Sequence, residues 1–278
     1  MDYQEVRYDV SEAIATVTLH RPDKLNAWTM RMEGEYRHAL AAAEQDPEVR
    51  VIVVTGAGRG FCSGADMALL TGLTQGETLS EGPREEDLLR ASPGARPDVR
   101  EDFRMTYTWP PSIPKPILAA VNGPAVGLGL VHTLYCDVRF ASDRARFGTA
   151  FARRGLIAEH GISWMLPRLV GPQNALDLLL SGRIIDAAEA FEMRLVSRVV
   201  PHAQLMPTVR AYARDLATVC SPRSIAIMKK QVYDALFQDL ATANTIANDL
   251  MLKSFESEDF REGVESFVQR RAPRFTGR

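Results

Sequence analysis

The chain has 278 residues, 46% of them apolar and 24% charged, with a formal net charge of −2. Such a length and composition fit one large globular domain. The small net charge argues against a nucleic acid or an anionic membrane as the main partner. Three cysteines without a C-x-x-C pair (Cys62, Cys136 and Cys220), a polar start and the lack of an apolar stretch of about 18 residues argue against secretion and a membrane span. We therefore expect a cytoplasmic protein.

Short apolar runs rich in β-branched residues alternate with stretches of helical spacing in the first part of the chain. Strands are predicted over 13–19, 51–56 and 117–123, and a helix is predicted over 29–45, where apolar residues recur at i, i+4 and i+8. Alternation of this kind predicts an α/β architecture, with a core over residues 1–200.

Helix starts dominate the remaining residues. Ser221, followed by Pro222, places a capping side chain and a first-turn proline ahead of one helix. Ser257 can cap a last helix near the end of the chain. We therefore expect a helical C-terminal region over 201–278.

A polar segment, residues 71–102, interrupts the α/β core. It contains several glycines and prolines and few apolar side chains. A long irregular loop is uncommon inside a compact domain and is often an active-site lid or a disordered excursion. We expect a loop here, and the sequence leaves open whether it is an active-site wall or surface filler.

Two glycine-bearing turns follow predicted strands, GFCSGADM at 60–67 and VNGPAVGLGL at 121–130. Neither fits the dinucleotide fingerprint or the Walker loop. Glycine lets backbone N–H groups approach a ligand closely, and two converging N–H groups make an oxyanion hole. The alternative is a pair of ordinary strand-to-helix turns. No metal site is predicted, because His132 and Cys136, one helical turn apart, are too few ligands.

One carboxylate lies among apolar residues, in the stretch GLIAEHGISW at 155–164. An ionised carboxylate in such surroundings loses hydration, which raises its pKa and is rarely tolerated without a partner or a use. Glu159 is therefore a candidate for proton transfer. The alternative is structural, with the glutamate capping the following turn.

Six consecutive motifs resemble the crotonase superfamily, the enoyl-CoA hydratase/isomerase family. They cover nearly the whole chain in the expected order: VTLHRPDKLNAW at 17–28, VIVVTGAGRGFCSGADM at 51–67, KPILAAVNGPAVGLGLVHTLYCDVRFASDRARFG at 115–148, GLIAEHGISWMLPRLVG at 155–171, LLLSGRIIDAAEAFEMRLVSRVV at 178–200 and SEDFREGVESFVQRRAPRF at 257–275. Several motifs in the expected order and spacing identify a family far more specifically than any one of them.

The resemblance implies a crotonase-like α/β spiral of ββα units with a helical C-terminal trimerisation region. A homotrimer or hexamer is expected, in which an apolar stripe of Phe260, Val264 and Phe267 is covered. The resemblance also implies a coenzyme A thioester as the substrate, with no further cofactor.

The resemblance assigns the two oxyanion donors to the N–H groups of Ala65 and Leu128. Leu128 departs from the family, which usually has glycine there, so a side chain borders the acyl slot. The loop around Lys24, Leu25 and Ala27 resembles the family's coenzyme A loop.

Two further residues complete the coenzyme A contacts that the resemblance implies. Asp66 matches an aspartate that commonly approaches the adenine. Arg270 stands where the family often has a tail lysine that reaches a phosphate, and arginine suits phosphate well. For each basic residue alone, plain surface charge is the alternative.

Typical hydratases of the family use two glutamates, and the matching positions here hold Val131 and Phe151, which cannot move protons. Glu159 aligns with the catalytic carboxylate of the family's isomerases, and His160 is expected to be a neighbour, not a base. We therefore expect isomerisation of a 3-enoyl-CoA to a 2-enoyl-CoA with one carboxylate base. The alternatives are an enoyl-CoA hydratase or acyl-CoA hydrolase with an atypical active site, or a non-catalytic acyl-CoA-binding protein.

Overall fold

The computed structural model describes residues 2–75 and 99–278, and the strands in this part of the chain form two sheets. In chain order they are β1 (Val6–Ser11), β2 (Ile14–Leu19), β3 (Val51–Gly56), β4 (Ile117–Val121), β5 (Pro124–Val126), β6 (Val138–Ser142), β7 (Arg146–Gly148), β8 (Ile184–Asp186) and β9 (Arg198–Val200). The large sheet has the order β1-β2-β3-β4-β6-β9 and the small sheet the order β5-β7-β8. The three strands predicted from apolar runs are confirmed as β2, β3 and β4.

The helices of the described residues are α1 (Met30–Gln45), α2 (Met67–Thr74), α3 (Leu128–Leu134), α4 (Ile162–Ser181), α5 (Ala187–Glu192), α6 (Leu205–Val219), α7 (Pro222–Ala235), α8 (Leu240–Phe255) and α9 (Glu258–Gln269). The predicted helix over 29–45 is α1, capped by Thr29. Both serine caps are also confirmed, because Ser221 and Ser257 accept backbone N–H groups at 3.0 and 3.1 Å. Such caps satisfy N–H groups that a helix start leaves without partners.

The chain winds between the two sheets. In the large sheet β1 and β2 form an antiparallel hairpin, and every later pair is parallel. Two neighbouring parallel strands must be joined by a crossover connection. Here each crossover contains a helix, a strand of the small sheet, or both. The run β4-β5-α3 is one such ββα unit, and β6-β7-α4 is the next.

Helices cover both faces of the large sheet. On β3, Ile52 and Val54 face the cluster that includes α1, whereas Val51 and Val53 face the cluster that includes α6. All four side chains are at most 1% exposed. A parallel strand buried on both faces reads as a continuous apolar run, which is why the sequence VIVV predicts it.

A partly buried carboxylate joins the C-terminal helices to the large sheet. Asp137 accepts the backbone N–H of Ile117 at 2.7 Å, the Nζ of Lys229 at 2.7 Å and the hydroxyl of Tyr233 at 3.0 Å. Since Lys229 and Tyr233 lie on α7 and Ile117 begins β4, one side chain fixes this helix against the strand that leads to the second glycine turn.

Most of the segment predicted as a loop, 71–102, lies outside the described residues. At its start the prediction is wrong, because 71–74 form the last turn of α2. A short 3-10 turn, Glu101–Phe103, lies at its other end. In the described ranges, no helix combines the length and apolar character needed to cross a membrane.

The two glycine turns touch through the second residue of α3. A Cβ built on Gly129 would lie 2.1 Å from the carbonyl oxygen of Cys62, far inside any real contact. Glycine at 129 therefore sets how closely α3 can approach the turn at 60–64.

We expect Gly129→Ala to lower the free energy of unfolding by about 1–3 kcal/mol, the usual cost of forcing an extra group into a packed site. The measurement is urea denaturation followed by far-UV circular dichroism. Gly263→Ala is the matched control, because a Cβ there would meet only the Phe275 ring, at 3.7 Å. That helix position should gain about 0.5–1 kcal/mol. Equal stability of the two variants would contradict the close approach.

Candidate active site

A cavity of about 540 Å³ opens beside the start of α3. Its walls are the first glycine turn with the start of α2, the second glycine turn with α3, and the segment 149–160. Six of the residues singled out in the sequence line it: Lys24, Ala27, Ala65, Asp66, Leu128 and Glu159. Winding of the ββα units thus brings together residues that are far apart in the chain.

The N–H of Ala65 faces this cavity because of how its neighbours are bonded. Trp28 donates its N–H to the Gly64 carbonyl at 2.8 Å and accepts the Asp66 N–H at 2.9 Å. The backbone N–H and C=O groups of successive residues in an extended segment point to opposite sides. Gly64 and Asp66 bond to Trp28, so the N–H of Ala65, between them, points away from Trp28. It has no acceptor in the described part of the chain.

The N–H of Leu128, on the second glycine turn, belongs to another residue that lines this cavity. As the first residue of α3, Leu128 has no acceptor within the helix, and none is found elsewhere among the described residues. A Cβ built on Gly64 would lie 4.0 Å from the Leu128 nitrogen, which shows how near the two turns are. Ala65 and Leu128 thus line one cavity with N–H groups that have no acceptor among the described residues, which is what an oxyanion hole requires of its donors. The Leu128 side chain also lines the cavity.

Glu159 reaches the same cavity and does not cap the following helix. The N-cap of α4 is Gly161, and no side chain caps it. The Glu159 side chain is 31% exposed, and partial burial raises its pKa above the ordinary glutamate range. A raised pKa brings a carboxylate closer to the value that suits a base near neutral pH.

His160, expected from the sequence to be an outer neighbour of Glu159 and not a base, lines the cavity itself. Its Nε2 lies 3.4 Å from Oε2 of Glu159. Its ring meets the Tyr107 ring edge to face, with centroids 4.4 Å apart, and its carbonyl accepts the Tyr135 hydroxyl at 3.0 Å. Burial lowers the pKa of the imidazole. Sequence reasoning also missed Arg154, an exposed cation on the cavity wall that no local pattern distinguishes.

The residues predicted to contact coenzyme A divide into two groups. Lys24 and Ala27 line the cavity. Leu25 lies outside the lining, and its carbonyl accepts the N–H of Ser63 at 3.0 Å, which braces the first glycine turn. Arg270 is exposed at the end of α9 and does not line the cavity of its own chain.

Asp66 lines the cavity but is already paired. Its Oδ2 lies 2.8 Å from Nη1 of Arg21, and its Oδ1 accepts the N–H of Ala68 at 2.9 Å. Burial acts to raise its pKa, but the hydrogen bond from Ala68 and the contact with Arg21 outweigh it and hold the pKa below the usual range. Asp66 is therefore a fixed anion and a poor proton acceptor.

Apolar side chains stand where the family's hydratases carry glutamates. Val131 is fully buried within α3, and Phe151, 6% exposed, lines the cavity. Neither side chain can bind or direct a water molecule, and of the two only Phe151 contributes apolar surface to the cavity.

A family model described as enoyl-CoA hydratase/isomerase matches residues 9–278. The chain is 37% identical to a Rhodobacter capsulatus protein named "Probable enoyl-CoA hydratase", over 100% of both chains. It is 32% identical to the 1,2-epoxyphenylacetyl-CoA isomerase of Escherichia coli, over 97% of both. The solved structure of an enoyl-CoA hydratase/isomerase from Mycobacterium paratuberculosis covers 100% of both chains, with a TM-score of 0.84 and 30% identity.

These matches, together with the two sheets and the C-terminal helices, confirm the predicted fold class, a crotonase-like α/β fold with a helical C-terminal region. They also confirm that the protein is an enzyme. The chain belongs to the enoyl-CoA hydratase/isomerase family of the crotonase superfamily.

Proposed function

We propose that this enzyme converts a 3-enoyl-CoA into a 2-enoyl-CoA, with Glu159 as the base and the N–H groups of Ala65 and Leu128 as the oxyanion hole. The observation that carries the proposal is the difference in pairing between the two carboxylates that line the cavity in the part of the chain that the structure describes. Asp66 is held by Arg21, whereas Glu159 has no cationic partner stronger than a half-buried histidine.

The steps follow from the positions of these groups. Glu159 takes a proton from C2, and the electrons of that C–H bond move into the thioester carbonyl. The oxygen gains negative charge, which the N–H groups of Ala65 and Leu128 stabilise. Protonation of the resulting dienolate at C4 leaves the double bond between C2 and C3, next to the thioester. One carboxylate suffices for this reaction.

Two observations weigh on the alternatives. Hydration needs a group that directs water to C3, and Val131 and Phe151 supply none. The E. coli relative is named an isomerase of an epoxide, 1,2-epoxyphenylacetyl-CoA, and the R. capsulatus relative is named a hydratase, so the names of the relatives favour neither reaction. A hydratase or acyl-CoA hydrolase that uses Glu159 to activate water is the second candidate, and a binder without activity is the third.

Glu159→Gln should lower the turnover of 3-enoyl-CoA by about 10²–10⁴-fold, because glutamine keeps the shape but accepts no proton at neutral pH. The assay is a panel of 3-enoyl- and 2-enoyl-CoAs of several chain lengths, with binding measured in parallel. Affinity should change little.

Glu192→Gln, on an exposed residue at the end of α5, is the matched control and should leave turnover unchanged. Isomerisation by Glu159→Gln at the wild-type rate would refute the proposal. Turnover of 2-enoyl-CoA alone would favour hydration. If neither 3-enoyl-CoA nor 2-enoyl-CoA is turned over, a non-catalytic acyl-CoA-binding protein would be favoured.

We also propose that Lys24 and Arg270 bind the phosphates of coenzyme A. Lys24 supports this by its place at the cavity mouth, beside the first glycine turn. Arg270, which does not line the cavity of its own chain, would reach a nucleotide that extends beyond the cavity or one bound to a neighbouring copy.

Lys24→Ala and Arg270→Ala should each weaken coenzyme A binding by about 1.4- to 5-fold, since exposed charge pairs contribute about 0.2–1 kcal/mol. Calorimetry at low and high salt measures this, and the loss should be larger at low salt. Lys230→Ala, an exposed cation on α7, is the control. Unchanged affinity in both variants would remove the phosphate assignment.

The helical C-terminal region supports assembly into a homotrimer or hexamer. On α9 the side chains of Phe260, Val264 and Phe267 are 43%, 50% and 84% exposed, and on α8 Leu240 and Leu252 are 85% and 59% exposed. Several large apolar side chains exposed on consecutive helices favour an interface, and a second copy of this chain is the occupant we propose.

Light scattering at micromolar concentration should therefore give the mass of a trimer or a hexamer. Phe267→Asp should shift the protein toward the monomer, because a charge would be buried in the interface. Val10→Asp, at a partly exposed position on β1, should not. A wild-type protein that is monomeric would contradict the proposed assembly.

A further inference from the structure

Glu159 has an ionisable neighbour inside the same cavity. The Nε2 of His160 and Oε2 of Glu159 lie 3.4 Å apart, and the two side chains are 29% and 31% exposed. The contact is slightly longer than a hydrogen bond, and catalytic contacts in unliganded sites commonly tighten when substrate binds. Both side chains also remain open to solvent.

The backbone at His160 adopts an unfavourable conformation, which places the imidazole ring beside Glu159. His160 has a φ of +57°, in the left-handed region that non-glycine residues rarely adopt. The adjacent Gly161 also has a positive φ, and a Cβ there would lie 2.4 Å from the Tyr135 hydroxyl, which itself donates to the His160 carbonyl. Strained residues held by their surroundings cluster at functional sites.

We propose that Glu159 and His160 act as a proton-transfer pair, in which Glu159 takes the C2 proton and His160 exchanges it with solvent before C4 is protonated. This rests on the proposed isomerisation. The C2–H bond breaks, its electrons move into the thioester oxygen, and the proton passes from the Glu159 carboxyl to Nε2 of His160. The imidazolium exchanges its N–H protons with water, and a solvent-derived proton returns through Glu159 to C4.

The surroundings suit such a transfer. Burial raises the pKa of Glu159 and lowers that of His160, so the two pKa values approach each other. A proton can then pass between the two groups at a small cost in free energy. Other groups near the imidazole do not compete. Burial raises the pKa of Tyr135 to about 12, and burial together with His160 and Arg37 holds the pKa of His132 well below its usual value.

The test follows deuterium from C2. A 3-enoyl-CoA with both C2 hydrogens replaced by deuterium is isomerised in ordinary water, and mass spectrometry counts deuterium in the product. The wild type should retain one, because C4 receives a solvent proton. His160→Asn, which tolerates a positive φ, should retain two, because Glu159 then returns the same deuteron to C4. His38→Asn, an exposed histidine on α1, should behave as wild type.

Equal retention in the wild type and His160→Asn would overturn the pair and leave the isomerisation intact. Absence of isomerisation by the wild type would overturn the proposed function and this role with it.

A second measurement needs no substrate. Nitrogen NMR of the His160 ring should give a lower pKa in Glu159→Gln than in the wild type, because the carboxylate stabilises the imidazolium. An unchanged pKa would show that the two groups do not interact, and it would overturn the pair whatever reaction the enzyme catalyses.

Discussion

The contact between two backbone turns is the constraint on which the rest of this site depends. The proposed oxyanion donors, the N–H groups of Ala65 and Leu128, lie on turns that can approach each other only while α3 lies against the carbonyl of Cys62, which glycine at 129 permits. The same short helix ends beside Tyr135, whose hydroxyl binds the carbonyl of His160, next to Glu159. One helix of about 10 Å therefore contacts both the first glycine turn and the turn that carries the proposed base.

Much of the architecture could be predicted because its signals are local. Buried parallel strands such as β3 read as apolar runs, and serine caps such as Ser221 mark helix starts within four residues. The glycine turns were also visible, although spacing alone could not separate an oxyanion hole from ordinary turns. The segment after α2 shows the limit, since composition averaged over 71–102 concealed a helix that continues to Thr74.

The contact between Glu159 and His160 could not be predicted from the sequence. Neighbours in a chain normally point in different directions, and here a left-handed residue brings their side chains together. That backbone is supported by Tyr135, from another ββα unit, so no window around Glu159 contains the cause. The pairing of Asp66 with Arg21 is similar, because its partners are 45 residues apart.

The oxyanion donors that we propose are main-chain atoms, and this has an evolutionary consequence. A mutation at Ala65 or Leu128 replaces a side chain on the cavity wall but leaves the N–H in place, provided that the backbone can still adopt its conformation. Leucine at 128, where the resemblance led us to expect glycine, is one such replacement, and it lines the cavity. If these residues have the proposed role, selection can change which acyl groups fit without removing the oxyanion donors, and paralogues can diverge in substrate preference by single substitutions at those positions.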